Sequence, residues 1–255
     1  MPVAAAVAGK QRADALLVAQ GIAASRDRAR TLIADGQVFI GAEALRKPAK
    51  MLANDTVFDI RGADLKWVSR GALKLLGGLD AFAADIEPAG RFCVDVGAST
   101  GGFTEVLLAR GAAHVSAVDV GRDQLHPRVA SHKDVQICDG LNARHITAAD
   151  LMHMPNLIVC DASFISLTKV LPAVMGLAVP GAHLVALIKP QFEVGRGRVG
   201  KGGIVRDAAL HAETIQMIET WLTSEMGWHH LGTVPSPIDG PDGNREFLIA
   251  GQKPA

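Results

Sequence analysis

Four charged residues stand at positions where a folded chain could use them for chemistry. Two of them directly end apolar runs: Asp161 follows residues 157–160, and Lys189 follows residues 184–188. Burial is expected at such strand ends, and a purely structural charge would be costly there. Glu246 opens a later apolar run, and Lys74 lies within residues 69–75. The complete set is two lysines and two carboxylates: Lys74, Asp161, Lys189 and Glu246.

Such a set could turn an alcohol into a nucleophile. A neutral hydroxyl attacks poorly, so it must lose its proton near the moment of reaction, and a nearby amine is a suitable base. Desolvation and the second lysine would lower the pKa of Lys189, whereas Asp161 and Glu246 would raise it. Two roles stay open for Lys189: it is the base, or it is a charged donor that orients the reacting oxygen while the proton leaves to water.

A glycine-rich turn indicates the kind of cofactor. Residues 94–104 predict a strand, a turn and the start of a helix, and the turn has the pattern G-x-x-x-G-G from Gly97 to Gly102. A dinucleotide-binding turn has G-x-G-x-x-G, which lets the backbone approach a pyrophosphate. The observed spacing favours a nucleoside cofactor without phosphates, such as S-adenosylmethionine. Asp95 could face its cationic methionine end, and Asp119 could accept hydrogen bonds from the ribose hydroxyls.

The order of apolar runs predicts the fold class. Strand-like runs at 115–118, 135–137, 157–160, 184–188 and 246–250 are mostly separated by helical stretches. This alternation is typical of an α/β protein with a largely parallel, doubly wound, Rossmann-like sheet. In such sheets the reactive groups gather at the carboxyl ends of the strands.

The first seventy residues are more basic than the rest. They carry 11 lysines and arginines against 7 aspartates and glutamates, although the whole chain has 26 of each. The pattern predicts helices over 12–19 and over about 25–36, with Ser25 as an N-cap, and short strands at 38–41, 47–48 and 57–60 that are joined by turns. Arg26 and Arg30 lie four residues apart and share one flank of the second helix, where phosphate oxygens are natural partners.

This segment resembles a small RNA-binding module first described in ribosomal small-subunit protein number four. The resemblance covers about residues 11–60 and rests on the order of Arg12-x-Asp14, Ser25-Arg26 and Lys47-Pro48, among other positions. It implies a small α+β domain whose contacts to structured RNA are Arg12, Arg26, Arg30 and Lys47. The alternatives are a solvated basic helix pair or a protein–protein module.

The four charged residues, in their order along the chain, resemble the lysine-aspartate-lysine-glutamate tetrad of FtsJ-type ribose 2′-O-methyltransferases. With the motifs at 69–70, 161–166, 189–193 and 243–246, the chain resembles the TlyA family over nearly all of residues 11–251. The resemblance implies methylation of the ribose 2′-hydroxyl of cytidine in ribosomal RNA, with S-adenosylmethionine as cofactor and ribosomal RNA or ribosomal subunits as partners. Some members of that family were first named hemolysins.

Further site residues complete the prediction. Asp139 sits where methyltransferases of this class often bind the adenine amino group, although a turn before Gly140 explains it equally well. Residues 195–203 are glycine-rich and carry three cations, so this segment could close over RNA as a mobile loop. The predicted cofactor-binding set is Asp95, Gly97, Ala98, Ser99, Thr100, Gly101, Gly102, Phe103, Asp119 and Asp139. The predicted RNA-binding set is Arg12, Arg26, Arg30, Lys47, Arg70, Arg196, Arg198 and Lys201.

We expect four parts along the chain. They are a flexible tail at 1–10, the RNA-binding module at 11–60, a linker at 61–69 and the methyltransferase domain at 70–255. Trp67 is the one large apolar residue of the linker, and it either docks the two domains or begins the second core.

Composition narrows the alternatives. The nine histidines lack metal-ligand spacing, so we expect no metal site, and three separate cysteines predict buried reduced thiols. The sequence has no apolar run of about 18 residues, which predicts a cytoplasmic protein and argues against a membrane-lytic hemolysin. A non-catalytic RNA-binding or ribosome-assembly factor is the main rival. A small-molecule O-methyltransferase would leave the N-terminal module without a purpose.

Overall fold

A computed structural model describes residues 9–23, 25–34, 36–60, 67–195, 197–200, 202–240 and 243–255. The chain divides into two compact units, Met1–Lys66 and Trp67–Ala255. Most of the predicted tail and most of the predicted linker lie outside the described residues. Lys10, at the end of the predicted tail, opens a strand.

The N-terminal unit combines two helices with short antiparallel strands. Its elements in chain order are β1 (Lys10–Arg12), α1 (Ala13–Ala19), α2 (Arg26–Ala34), β2 (Val38–Ile40), β3 (Glu43–Ala44), β4 (Met51–Ala53) and β5 (Asp59–Ile60). Strand β1 pairs with β4, and β2 lies between β3 and β5. Both predicted helices are confirmed, whereas Lys47 and Pro48 lie in the connection between β3 and β4 rather than in a strand.

Helix α2 forms where its end signals stand. The Ser25 hydroxyl accepts a hydrogen bond from the Arg28 backbone N–H at 3.1 Å, which is the geometry of an N-cap. Gly36 follows the helix with a left-handed φ of 69°. The buried side chains of α2 pack against Leu17 and Val38 in one small core. The helix therefore has its arginines on the outside of a packed helix pair.

The larger unit is an α/β domain. Its helices are α3 (Gly71–Ala81), α4 (Gly102–Ala109), α5 (Pro127–Ala130), α6 (Leu167–Val170), α7 (Pro172–Leu177), α8 (Pro190–Glu193) and α9 (Ala208–Thr220), and a π-helical turn (Trp221–Glu225) extends α9. Its strands are β6 (Phe92–Val96), β7 (His114–Asp119), β8 (Val135–Asp139), β9 (Leu157–Cys160), β10 (His183–Ile188), β11 (His229–Pro235) and β12 (Phe247–Gln252).

The seven strands of this unit form one sheet in the order β11-β12-β10-β9-β6-β7-β8. The five strands from β10 to β8 are parallel, while β12 and β11 join as antiparallel strands. The predicted doubly wound α/β fold is confirmed. The sequence pattern did not predict β11, because this edge strand is half-exposed and carries a bulge between His230 and Gly232, so it lacks a continuous apolar run.

Alternating strand residues face two hydrophobic cores. In β9, Ile158 and Cys160 face one core, and Leu157 and Val159 face the other, where α3 and α4 pack. Trp67 packs against this second core, so it belongs to the larger unit. All three cysteines are free thiols, and burial raises the pKa of Cys160 to about 12.

The loops after β6 and β9 touch at the point where the strand order of the sheet reverses. Gly97 has a left-handed φ of 84°, and a Cβ added to it would lie 3.0 Å from the backbone N and Cα of Ala162. The Asp161 backbone N–H donates to the Val96 carbonyl at 3.0 Å. In α/β proteins the ligand-binding crevice lies at this point of the sheet, and here the backbones of the two loops are in direct contact beside it.

A Gly97→Ala substitution tests this contact. The new Cβ would require both a strained φ and a shift of the Ala162 backbone, so we expect the free energy of unfolding to fall by roughly 2–5 kcal/mol. Gly90→Ala is the matched control, because Gly90 has a φ of 72° with nothing within 4 Å of an added Cβ. Urea unfolding should show a clearly smaller loss for Gly90→Ala. Equal losses in the two variants would contradict the close-contact explanation.

Candidate active site

Strand register brings Lys189 and Glu246 to the same end of the sheet. In the antiparallel pair of β10 and β12, Ile188 lies opposite Phe247. Lys189 follows Ile188 and Glu246 precedes Phe247, so the two charged residues continue the same register. Both side chains are buried, at 6% and 3% exposure.

Helix α3 carries Lys74 to Glu246. Lys74 Nζ donates to Glu246 Oε2 at 2.6 Å, and both side chains are buried. Gly78, one turn later on α3, lies directly on the sheet: an added Cβ would be 3.2 Å from Val185 and 3.3 Å from Leu248. The missing side chain at Gly78 lets α3 approach closely enough for Lys74 to reach its partner.

Lys189 forms a second ion pair, in which Lys189 is buried and Asp161 is partly exposed. Its Nζ lies 2.6 Å from Asp161 Oδ1, and it donates to Ser163 Oγ at 2.8 Å and to the Asp161 carbonyl at 3.1 Å. The first turn of α3 is also close, since a Cβ on Gly71 would lie 3.5 Å from Asp161 Oδ2. The structure therefore brings all four predicted residues together at the carboxyl end of the parallel sheet.

The charges around Lys189 decide its protonation state. Burial lowers the pKa of Lys189, but the negative charges of Asp161 and Glu246 outweigh burial and raise this pKa above its ordinary value. Lys189 is therefore a charged ammonium near neutral pH. Of the two roles open from the sequence, this state fits the orienting donor.

Glu246 is enclosed by the chain that precedes β12. A Cβ on Gly240 would lie 2.5 Å from Glu246 Oε1, so the backbone at Gly240 touches the carboxylate. Asn244, 2% exposed, donates to the Gly203 carbonyl at 3.0 Å and accepts from the Val205 N–H at 3.0 Å. Sequence reasoning gave Asn244 no role of its own, because its two partners lie about forty residues away.

The glycine-rich turn is fixed by Asp119. Asp119 Oδ2 accepts from the Ser99 N–H at 2.8 Å, and its Oδ1 accepts from the Gly121 N–H at 2.7 Å. Ser99 has a left-handed φ of 47°, and Gly101, which precedes α4, has a φ of 91°. Each carboxylate oxygen can accept one further hydrogen bond. The predicted hydrogen bonds from ribose hydroxyls to Asp119 would therefore use the remaining lone pairs of its two carboxylate oxygens.

Asp95 is fully buried. Its Oδ2 accepts from the Thr104 hydroxyl at 2.7 Å, while its Oδ1 has no hydrogen-bond partner among the described residues. Burial raises the pKa of Asp95 to about 7, with the charges of Asp161 and Asp119 adding to the effect against the Thr104 hydrogen bond. This buried carboxyl oxygen is an unused hydrogen-bond acceptor at the start of the turn.

Other predicted cofactor residues have structural contacts. Phe103, on α4, is 3% exposed and packs in the hydrophobic core with side chains of α3. Asp139 ends β8, and its Oδ2 accepts from the Asp123 N–H at 2.7 Å, which is a loop-fixing contact. Ala98 and Thr100 are also buried, at 7% and 5% exposure. The turn glycines Gly101 and Gly102 approach neighbouring side chains closely enough to exclude a Cβ.

The predicted RNA-binding residues fall into different settings. Lys47 is exposed, and Arg70 is half-buried at the N-cap of α3. Arg198 forms a two-pronged ion pair with Glu213 of α9. Arg196 and Lys201 lie outside the described residues. In the N-terminal unit, Arg12, Arg26 and Arg30 all contact the carboxylate of Asp14.

Two phenylalanines that follow Asp161 and Lys189 along the chain form an aromatic pair, in which Phe164 is exposed and Phe192 is half-buried. Phe164 is 90% exposed, has a left-handed φ of 67°, and its ring centroid is 5.2 Å from that of Phe192. Sequence reasoning quoted both residues within motifs but assigned them no role. The available signal was their position, because each phenylalanine comes three residues after a charged residue of the tetrad.

Comparisons with known proteins agree with this geometry. The model of a family described as FtsJ-like methyltransferase matches residues 67–253. The 16S/23S rRNA (cytidine-2′-O)-methyltransferase TlyA of Mycobacterium tuberculosis is 46% identical over 95% of this chain and 90% of that protein. Hemolysin A of Brachyspira hyodysenteriae is 36% identical over 93% of this chain and 98% of that protein. A solved structure of a hemolysin-named protein from Streptococcus thermophilus has 36% identity and a TM-score of 0.74, and covers 97% of this chain and 90% of that chain.

Fold and comparisons together define a Rossmann-like methyltransferase. The chain belongs to the FtsJ-like methyltransferase family, and the relatives that match most of its length include proteins named TlyA and hemolysin. Among the described residues, no helix is both long and apolar enough to cross a membrane.

Titration of Asp95 makes the free energy of unfolding depend on pH, and an Asp95→Asn substitution removes this contribution. Its pKa of about 7 lies above the ordinary value of 3.8, so its contribution to stability is complete below about pH 4 and is lost as the pH rises through 7. We expect the free energy of unfolding of the native chain to decline between pH 4 and pH 7 relative to Asp95→Asn. Urea unfolding at several pH values measures this difference.

Asp80→Asn is the control for this experiment, because Asp80 is 64% exposed and pairs with Arg110 at the surface. Its stability should follow the native pH profile. A native-minus-Asp95→Asn difference that is constant from pH 4 to pH 8 would show that Asp95 does not titrate as we describe.

Proposed function

We propose that this protein methylates the ribose 2′-hydroxyl of cytidine in ribosomal RNA, using S-adenosylmethionine. The proposal depends on two ion pairs at the carboxyl end of the sheet, the buried pair of Lys74 with Glu246 and the partly buried pair of Lys189 with Asp161. The 46% identity to a protein named 16S/23S rRNA (cytidine-2′-O)-methyltransferase, over 95% of this chain, supports the substrate.

The residues at the glycine-rich turn fit S-adenosylmethionine. The unpartnered Asp95 Oδ1 offers a buried acceptor near the turn, and Asp119 keeps lone pairs for ribose hydroxyls. The cofactor supplies an electrophilic methyl group on a sulfonium centre when bound. Asp95 would hold its cationic end, Asp119 its ribose, and the backbone of residues 97–102 would shape the wall of the pocket.

Lys189 acts on the substrate hydroxyl. As a charged ammonium it would donate a hydrogen bond to the 2′-oxygen, orient it, and stabilise the negative charge that develops as the hydroxyl proton leaves to water. Asp161 and Ser163 hold the ammonium in place at 2.6 and 2.8 Å. Lys74 neutralises Glu246, and Glu246 in turn helps to keep Lys189 charged.

Phe164 supports an RNA substrate at this site. RNA-binding proteins recognise unpaired bases by stacking them on aromatic side chains. Phe164 is 90% exposed and lies three residues after Asp161 on the same loop, so it offers such a surface. The basic N-terminal unit, with Arg12 at the end of β1 and with Arg26 and Arg30 on α2, supplies a second RNA contact in the proposal.

A Lys189→Ala substitution tests the function. We expect methyl transfer to unmodified ribosomal subunits to fall by about 100-fold or more, while RNA affinity stays within about twofold, because one preorganised donor is lost from the reacting oxygen only. Labelled S-adenosylmethionine, nuclease digestion and mass spectrometry locate the methyl group. The matched control is Lys133→Ala, whose lysine is 86% exposed and pairs with Asp134.

The position of the methyl label in the native chain and the two variants tests the proposed function. Label on a ribose 2′-oxygen that disappears in Lys189→Ala but not in Lys133→Ala supports the proposal. Full activity of Lys189→Ala would remove Lys189 from the chemistry. Absence of label with the native protein, despite measurable RNA binding, would favour the non-catalytic RNA-binding factor.

A further inference from the structure

One buried carboxylate in the N-terminal unit is surrounded by three arginines. Asp14 is 0% exposed, and its Oδ2 lies 3.0 Å from Arg12 Nη2, 3.0 Å from Arg26 Nη2 and 3.3 Å from Arg30 Nε. Its Oδ1 accepts from Arg12 Nε at 3.0 Å and from the Ala15 N–H at 2.9 Å. These hydrogen bonds hold the pKa of Asp14 well below its usual range.

The cluster has more positive charge than the carboxylate requires. One arginine would neutralise Asp14, yet three converge on it, and their side chains remain 43%, 49% and 50% exposed. Each guanidinium has five N–H donors, and the contacts to Asp14 and Asp27 use only part of them. The cluster therefore keeps a net positive charge and unused donors at the surface.

Asp14 also removes the flexibility that separate arginines would have. Three like charges repel each other, and each free arginine side chain has about 2 kcal/mol of rotamer entropy to lose on binding a ligand. A shared buried acceptor brings the three groups within 3.3 Å of one oxygen before any ligand arrives. Preorganisation of this kind lowers the cost of binding an anion.

We propose that Asp14 is a positioning residue that holds Arg12, Arg26 and Arg30 as one preorganised surface for the phosphate groups of RNA. The inference rests on the proposed function, since it takes ribosomal RNA as the ligand. Guanidinium groups suit phosphates because their donors match phosphate oxygens in a fixed planar fork.

The proposal makes a prediction opposite in sign to simple electrostatics. If the arginines acted only through their charge, removal of the Asp14 charge would strengthen RNA binding, because the unit would become more positive. If Asp14 positions them, its removal weakens binding although the positive charge increases. The direction of the change therefore separates the two explanations.

Asp14→Asn in the full chain is the test, with Asp27→Asn as the matched control. Asp27 is 74% exposed and contacts only Arg30 of the three arginines, so the control removes the same charge from the same helix pair without releasing the cluster. Binding to ribosomal RNA is measured over a series of salt concentrations. We expect Asp14→Asn to bind about tenfold more weakly with a shallower salt slope, and Asp27→Asn to bind as tightly as the native chain or more tightly.

A second variant covers the case in which Asp14→Asn does not fold, which circular dichroism and thermal unfolding detect. Arg12→Lys keeps the charge but loses the fork that bonds both oxygens of Asp14, so we expect weaker RNA binding. Arg46→Lys, at an exposed arginine outside the cluster, should bind RNA as the native chain does.

The results distinguish this inference from the proposed function. A folded Asp14→Asn that binds RNA as tightly as the native chain with an unchanged salt slope overturns the positioning role, as does native-like binding by Arg12→Lys. If the native chain neither binds nor methylates ribosomal RNA, the proposed function itself is wrong.

Discussion

The active site depends on three buried charges, Lys74, Lys189 and Glu246, each of which has a charged partner. Lys74 and Glu246 are 2.6 Å apart with almost no solvent contact, and Lys189 and Asp161 form a second pair at the same distance. Removal of one partner from a buried pair leaves an uncompensated charge, which typically costs 3–5 kcal/mol. The site therefore requires all four residues in register, and the sheet, α3 and the loops around them serve that requirement.

Glycines make the required close approaches possible. Gly78 lets α3 lie against β10 and β12, Gly97 lets the loop after β6 touch the loop after β9, and Gly240 lets the backbone reach the Glu246 carboxylate. In each case an added Cβ would lie within about 3.3 Å of another atom. Glycines thus allow the close approaches between segments that assemble the tetrad and the turn beside it.

The same physical principle gives buried groups at different sites different charges. Asp95 is buried with one hydroxyl donor and no cation, so its pKa rises to about 7. Lys189 is equally buried but faces two carboxylates, so its pKa rises and it stays charged. In the N-terminal unit, Asp14 is buried among three guanidiniums and stays ionised. Burial sets the penalty in each case, and the partner charge decides the outcome.

The sequence by itself determined whatever depends on neighbouring residues along the chain. Apolar runs ended by Asp161 and Lys189 predicted strand ends, Ser25 and Gly36 predicted the bounds of α2, and alternation predicted the parallel sheet; all of these follow from local periodicity and end signals. Only the tertiary structure decided what depends on distant partners. Lys74 meets Glu246 across 172 residues, Phe103 lies in the core, Arg198 is paired with Glu213, and the charge of Lys189 follows from two carboxylates on other segments. Packing and electrostatics act through space, and a single sequence contains no distances.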